Sequence, residues 1–203
     1  LFALILPVAL VLVLLDTFEA FTTLAAPDAA ILVNTLVDEN DGSCADGDCS
    51  LRDAMAIANE NDTINFSVSG TVILSATPHF LGQLIIDKNL IISGNLPITI
   101  NGNNATRVFK VITGNVSIDG LTITHGFDQG TDCNNSPCGA GIFIEDGTVV
   151  TVSNSTLISN TASHFGAGIY NAGTLMVNNS TLSDNLASSE NGSGSGLYNA
   201  GTA

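Results

Sequence analysis

The sequence predicts an all-β chain, a parallel β-helix solenoid with a short N-terminal capping helix. Three observations carry this. A glycine-rich segment recurs: GAGIFIEDGTVVTVSNSTLISN, GAGIYNAGTLMVNNSTLSDN and GSGLYNAGTA set a glycine ahead of an aliphatic residue at Gly141, Gly168 and Gly196, 27 and 28 residues apart. Within each unit apolar residues alternate with polar ones, as at Val150 and Val152, Leu175 and Val177, and Leu121 and Ile123, which is the period of a strand with one buried face. Aromatic residues make up only 5% of the chain and tryptophan is absent, which argues against a globule built on large anchors. A unit of this length made of short strands cannot bury its apolar face alone and must stack on its neighbours.

The elements follow in chain order. LFALILPVALVLVLL, Leu1 to Leu15, is apolar and uncharged, and shorter than the roughly 20 residues a membrane helix needs. The small residues of TTLAAPDAA suit signal-peptidase cleavage after Ala25. Residues 1–25 are expected to be a secretory signal peptide without its initiating methionine and basic start; the competing reading is an uncleaved anchor helix.

Residues 26–62 are expected to hold an N-terminal strand, a disulfide loop and the helix. The four cysteines fall into two local pairs, Cys44 and Cys49 in CADGDC, and Cys133 and Cys138 in CNNSPC. In an oxidising compartment these predict two disulfides between near neighbours. The competing reading, a four-thiolate metal site, is weakened by spacings longer than zinc pairs use. SLRDAMAIANE, Ser50 to Glu60, opens with a Ser-x-x-Asp capping pattern and sets Leu51, Ala54, Met55 and Ala58 on one face, as an amphipathic helix requires. That face is expected to cover the first coil, which would otherwise expose a strand edge.

Residues 63–203 are expected to form five or six coils, each rising about 4.8 Å. GLYNAGTA stops inside a unit, so the array is expected to be truncated at its C-terminus. Asn154 and Asn179 precede Ser-Thr-Leu, Asn160 and Asn185 follow it, and Asn171 and Asn199 follow the two tyrosines. Side-chain amides at equivalent places predict hydrogen bonding between coils; the competing reading is N-glycosylation, since Asn154 and Asn179 fit N-x-[ST].

Charge bounds the partners. Nineteen acidic residues face four basic ones, for a net charge of −15, a balance that repels phosphates and excludes nucleic acid as a partner. Arg52, Lys88, Arg107 and Lys110 are too scattered along the sequence to form a basic patch. In DENDGSCADGDC, the carboxylates of Asp38, Asp41, Asp46 and Asp48 are weak calcium candidates, against a solvated turn tied by Cys44 and Cys49. No cofactor is expected. Phe143, Tyr170 and Tyr198 occupy equivalent places, and period two turns them outward if the preceding aliphatic points in. They could face a ligand as a sugar platform, or stack structurally under neighbouring loops.

A lyase acting on uronates would need a cation cluster and a base, and a hydrolase would need paired carboxylates. The repeats show neither arrangement. His125, in THG, reads as a turn residue, and His79 and His164 have no recognisable catalytic partners in the sequence.

CSLRDAMAIAN, Cys49 to Asn59, resembles the Cys-Ser-Leu-Arg-Glu-Ala segment near the N-terminus of many secreted bacterial proteins with right-handed parallel β-helix repeats, with Asp53 in place of the Glu. INFSVSGTVIL, LIIDKNLIISG, ITINGNNATRVFKV and VSIDGLTITHG resemble that family's first coils, and the Gly-Ile-Tyr-Asn and Asn-Ser-Thr-Leu units its later ones. The units also resemble the repeats of polymorphic outer-membrane proteins. The resemblance covers about Ile31 to Ala203. It implies a right-handed β-helix of the pectin lyase-like kind, export, and an extracellular or cell-surface location, and it implies no defined reaction.

The expected function is that of an exported or surface scaffold in adhesion or binding, without a catalytic site. Cell-surface glycans or a host or neighbouring surface would be its partners, and a membrane only through an anchor outside this sequence. The alternative is a carbohydrate-active β-helix enzyme, a polysaccharide lyase or hydrolase, whose site lies in further coils. A third possibility is the passenger of an autotransported protein.

Overall fold

Short runs that alternate branched aliphatics with small polar residues favour strands, and glycine or asparagine between them supplies the left-handed backbone of tight corners. A computed structural model describes residues 30–75, 82–128, 138–190 and 192–203 of the chain. In it the runs form β1 (Ala30–Val33), α1 (Leu51–Ile57), β2 (Asp62–Phe66), β3 (Gly70–Ile73), β4 (Leu84–Ile86), β5 (Leu90–Asn101), β6 (Phe109–Val111), β7 (Asn115–Thr124) and β8 (Phe127–Asp128). They continue as β9 (Ile142–Ile144), β10 (Val149–Ser153), β11 (Thr156–Ile158), β12 (Thr161–Ala162), β13 (Ile169–Asn171), β14 (Thr174–Asn178), β15 (Thr181–Ser183), β16 (Leu186–Ala187) and β17 (Leu197–Asn199).

The described residues are all-β apart from α1, and their strands pair parallel. The largest sheet runs β1-β2-β5-β7-β10-β14, with β3 on β5 and β11 between β7 and β15; the others run β17-β13-β9-β6-β4 and β16-β12-β8. From β9 onward the chain visits the sheets in a recurring order: β9, β10 with β11, β12, then β13, β14 with β15, β16, then β17. The 27- and 28-residue spacing seen in the sequence matches the length of one such circuit, in which Val152 pairs with Val177, 25 residues on, and Ile169 with Leu197, 28 residues on.

The register aligns apolar residues in columns. Ile64, Ile92, Ile118, Val152 and Val177 form one. Val72, Ile100, Ile123, Leu157 and Leu182 form another, and Leu84, Phe109, Ile142, Ile169 and Leu197 a third. All but Val177 belong to or pack on one apolar core, and burial is complete or nearly so until the last circuit, where Val177 is 36% exposed. Each fully buried aliphatic stabilises by about 1.5–3 kcal/mol.

Two strands run longer than the expected short ones, β5 with 12 residues and β7 with 10. Each continues through a corner that later circuits interrupt. In β7 the corner is Gly120 (φ 68°), at the place held by Asn154 (φ 50°) and Asn179 (φ 46°). In β5 the register shifts between Ser93 and Ile98. There the Asn95 side chain takes over the missing ladder bonds: Oδ1 accepts from Phe66 N at 2.9 Å and Nδ2 donates to Phe66 O at 3.0 Å.

The helix is shorter than the eleven-residue span predicted. Ser50 is its N-cap, accepting from Asp53 N, and Ala58 leaves the helix at φ −60°, ψ 139°. The turn beyond it is fixed by Asn59 N donating to Asp62 Oδ2 at 2.8 Å, and by Asn61 at φ 68°. The predicted apolar face is buried at all four positions, Leu51, Ala54, Met55 and Ala58, and α1 packs beside β1 and β2. The Lys88 ammonium donates to Ala58 O at 3.0 Å, placing a cation at the negative end of the helix.

Candidate functional site

Three clusters hold the residues singled out by sequence. The first is the N-terminal loop. Cys44 and Cys49 form a disulfide with Cα atoms 4.4 Å apart. The string around it is consumed by structure residue by residue: Cys49 closes the loop, Ser50 caps α1, and Leu51 is buried. Arg52 grips Asp38 through Nε to Oδ1 at 2.9 Å and Nη2 to Oδ2 at 3.1 Å, and donates to Gly82 O at 2.8 Å. Asp53 is buried, and its Oδ1 accepts from Gly42 N at 2.9 Å while its Oδ2 accepts from Ser50 Oγ at 2.7 Å.

The four carboxylates weighed for calcium are not gathered around one point. Asp38 is taken by Arg52 and by Ser75 N, at 2.7 Å. Asp41 Oδ1 accepts from Ser43 N at 2.9 Å, and Asp46 and Asp48 are exposed. No group of three or more metal-binding side chains converges among the described residues. The carboxyl that stands out is Glu39, which sequence reasoning missed. Partial burial, and then the charges of Asp48, Asp53 and Asp41, hold its pKa above the usual 4.5, because both desolvation and like charge disfavour the ionised form.

The second cluster is asparagine. The expected bonds between circuits are present. Asn160 Nδ2 donates to Asn185 Oδ1 at 2.9 Å, Asn171 Nδ2 to Asn199 Oδ1 at 2.6 Å, and Asn179 Nδ2 to Asn154 Oδ1 at 2.7 Å. Asn154 Nδ2 donates in turn to Asp119 Oδ1 at 2.7 Å. Asn160 and Asn171 are fully buried, so these amides replace water for backbone groups at the corners. In Asn154 and Asn179, the nitrogen a glycan would occupy is already a donor in the ladder.

The third cluster is the aromatic column. Lys110, Phe143, Tyr170 and Tyr198 are in register. The rings of Phe143 and Tyr170 stack at 5.3 Å and 8°, and those of Tyr170 and Tyr198 at 5.4 Å and 11°. Their faces are turned to one another. The Arg107 guanidinium and the Lys110 ammonium lie 4.9 Å and 5.4 Å from the Phe143 centroid, and Phe165 tilts against Tyr198 at 4.8 Å. Phe143 is buried, and Tyr170 and Tyr198 are half-buried. Stacking closes the ring faces between Phe143 and Tyr170 and between Tyr170 and Tyr198. Burial, and then Tyr198, raises the Tyr170 phenol above its usual 10.0.

Beneath the column sits Arg107. It is buried, its Nη2 is 3.0 Å from Asp128 Oδ1, its Nε donates to Gly139 O at 2.7 Å, its Nη2 to Cys138 O at 2.8 Å and its Nη1 to Gln83 Oε1 at 2.9 Å. Asp128 Oδ2 accepts from Cys138 N. Four chain segments meet at this one guanidinium, which the sequence shows only as a stray basic residue. Cys138 is disulfide-bonded, while Cys133, His79 and the expected signal peptide lie outside the described residues. His125 holds a left-handed corner at φ 50°, with Nδ1 2.8 Å from Thr124 Oγ1. His164 lies against Phe165.

No family model matches the chain, and no curated protein and no solved structure matches it.

Proposed function

We propose that this chain is an exported, right-handed parallel β-helix of the Cys-Ser-Leu-Arg-Glu-Ala type, with α1 capping its first coil, that works at or outside the cell surface as a binding scaffold. The carrying observation is the parallel register from β2 to β14, broken once by the shift between Ser93 and Ile98, with aliphatic columns inside and small polar columns outside, such as Asp119, Ser153 and Asn178. Parallel strands joined by crossovers are right-handed in about 98% of cases. The residues resembling the family string serve the fold, holding the disulfide, the cap and the Arg52–Asp38 pair, which fits a scaffold. The disulfide supports export, because such bonds persist in oxidising compartments. Surface glycans or a neighbouring cell surface are the partners this reading gives it.

The test is protease shaving of intact cells that express the whole reading frame, with thiol labelling of each fraction. Loss of the chain from unbroken cells, with its cysteines unreactive, is the expected outcome. A protease-resistant chain in the cytosol with labelled thiols would sink the proposal.

A further inference from the structure

The corner between β9 and β10 brings a backbone amide onto the carboxylate of the residue before it. Gly147 N donates to Asp146 Oδ1 at 2.8 Å. Both residues are exposed. Gly147 sits at φ 78°, and nothing lies within 4 Å of where a Cβ on it would stand. The nitrogen is thus held beside the carboxyl carbon, which is bonded to that oxygen, with open space around the pair. Holding two reacting groups in contact removes much of the entropic barrier to a bond between them, and glycine leaves the backbone free to turn toward a ring.

Other steps of the same kind are held differently. At Asp41, Gly42 N donates to Asp53 Oδ1 and the Asp41 carboxylate accepts from Ser43 N, both at 2.9 Å. At Asp119, the carboxylate accepts from Asn154 Nδ2 at 2.7 Å, and a Cβ on Gly120 would stand 2.7 Å from Gly94 O. At Asp46, the step lies in the loop closed by Cys44 and Cys49, and Gly47 O accepts from Asn34 Nδ2 at 3.2 Å. At Asn101, Gly102 N donates to Thr124 O at 2.9 Å. Among these described steps, only Gly147 turns its amide to the side chain just before it.

We propose that Asp146 is a site of spontaneous isomerisation to isoaspartate. Gly147 N attacks Cγ of the protonated Asp146 carboxyl and the N–Cγ bond forms. The amide proton and the carboxyl hydroxyl leave as water, which closes a five-membered succinimide. Water then adds to one of its two carbonyls. Cleavage of the Cγ–N bond restores aspartate, and cleavage at the backbone carbonyl leaves isoaspartate, whose main chain runs through Cβ and Cγ. The water released in the first step is regained in the second, and no oxidant or reductant enters. The product has one more main-chain atom in a corner that is closely held. Thr148 N and Oγ1 both donate to Glu145 O, at 3.3 and 2.7 Å. A Cβ on Gly173, one circuit on, would stand 2.6 Å from Thr148 O and 2.7 Å from Glu145 O. The inference rests on this corner and stands apart from the surface role proposed above.

The experiment is prolonged incubation of the full folded chain in mildly acidic buffer, with far-UV circular dichroism on every sample. Isoaspartate is then read position by position, by labelling with an isoaspartyl-specific methyltransferase and by peptide mass spectrometry. It should accumulate at Asp146 severalfold faster than at Asp41 or Asp119, and the three rates should converge when the chain is unfolded in urea. Asp146→Glu should abolish the signal at that position, because closure there would need a six-membered ring. Gly147→Ala should slow it severalfold, because a side chain is strained at φ 78°. The isomerised fraction should unfold at a lower urea concentration than the rest. Absence of isoaspartate at Asp146 in a chain that keeps its β-rich spectrum would overturn the proposal. Equal rates at Asp41, Asp119 and Asp146 in the folded chain would overturn it too, since the corner would then confer no advantage. An unchanged urea midpoint for the isomerised fraction would reject the tight corner.

Discussion

Asn160 lies one circuit from Asn185 and is tied to it twice: its backbone N and its Nδ2 both donate to Asn185 Oδ1, at 3.1 and 2.9 Å. On its other side, Asn160 Oδ1 accepts from Gly126 N at 2.8 Å and Nδ2 donates to Ile123 O at 3.1 Å. Gly126 has room for this amide because a Cβ there would stand 2.8 Å from Asn160 Oδ1. One buried side chain therefore satisfies two backbone groups at the corner of one neighbouring circuit and meets the Asn185 amide of the other. Asn160→Leu should destabilise the chain by about 1–3 kcal/mol for each backbone group left without a partner, read as a lower urea midpoint. A midpoint equal to that of the unaltered chain would show that the ladder is dispensable.

Arg107 should be the most sensitive basic residue. Arg107→Met removes the guanidinium 3.0 Å from the Asp128 carboxylate and frees two backbone carbonyls. Removing one partner of a buried ion pair costs about 3–5 kcal/mol. The double variant Arg107→Met with Asp128→Leu should recover part of that loss, because both charges of the pair are then removed together. A double-variant cycle in urea measures the coupling; additive losses would mean that the pair is not coupled.

The columns make size critical. Ile118 is fully buried between Ile92 and Val152, so Ile118→Ala should cost about 2–5 kcal/mol. The same change at Val177, 36% exposed in the last circuit, should cost visibly less. The ordering of the two, by thermal or urea unfolding, is the check.

Gly168 shows the opposite constraint. A Cβ there would meet the Gly196 carbonyl and come within 3.1 Å of Asn185 Nδ2. Gly168→Ala should lower stability by about 1–3 kcal/mol through overpacking, with the far-UV spectrum unchanged. An unaltered unfolding midpoint would contradict the close approach.

The pH dependence has a definite sign. Glu39 in the folded chain holds its proton above the ordinary 4.5, first through burial and then through Asp48, Asp53 and Asp41. The folded state binds that proton more tightly than the unfolded state. Its contribution to stability is present below 4.5 and is lost as pH rises through the raised value. Glu39→Gln keeps the side chain neutral throughout and should remove this loss, so that the unfolding midpoint of the variant falls less between acid and neutral pH. Parallel curves for the two proteins would exclude Glu39 as the source.

Much of this was legible in the residues themselves. Alternation gave the inward set, Val150, Val152, Leu175 and Val177, and the repeat interval gave the length of a circuit. The Ser-x-x-Asp pattern located the start of α1, although its end depended on Asp62 reaching back to Asn59, a contact that no helix propensity describes. The placing of Asn160 opposite Asn185 and of Asn171 opposite Asn199 was visible as recurrence, since equivalent positions in a parallel repeat must meet. The aromatic column was equally visible, while the closure of its ring faces was not, because that depends on cations arriving from other segments.

Local sequence by itself determined the strands, their period, the cap of α1 and the left-handed corners at Asn154 and Asn179, since each of these follows from the backbone and side-chain preferences of a few adjacent residues. Tertiary structure alone decided that Arg107 meets Asp128, that Asn95 replaces ladder bonds at Phe66, and that Thr71, Thr99, Thr122, Thr156 and Thr181 stand side by side. These residues lie 21 to 34 positions apart from their partners, and only the register between circuits, set by packing the aliphatic columns, brings them within bonding or van der Waals reach.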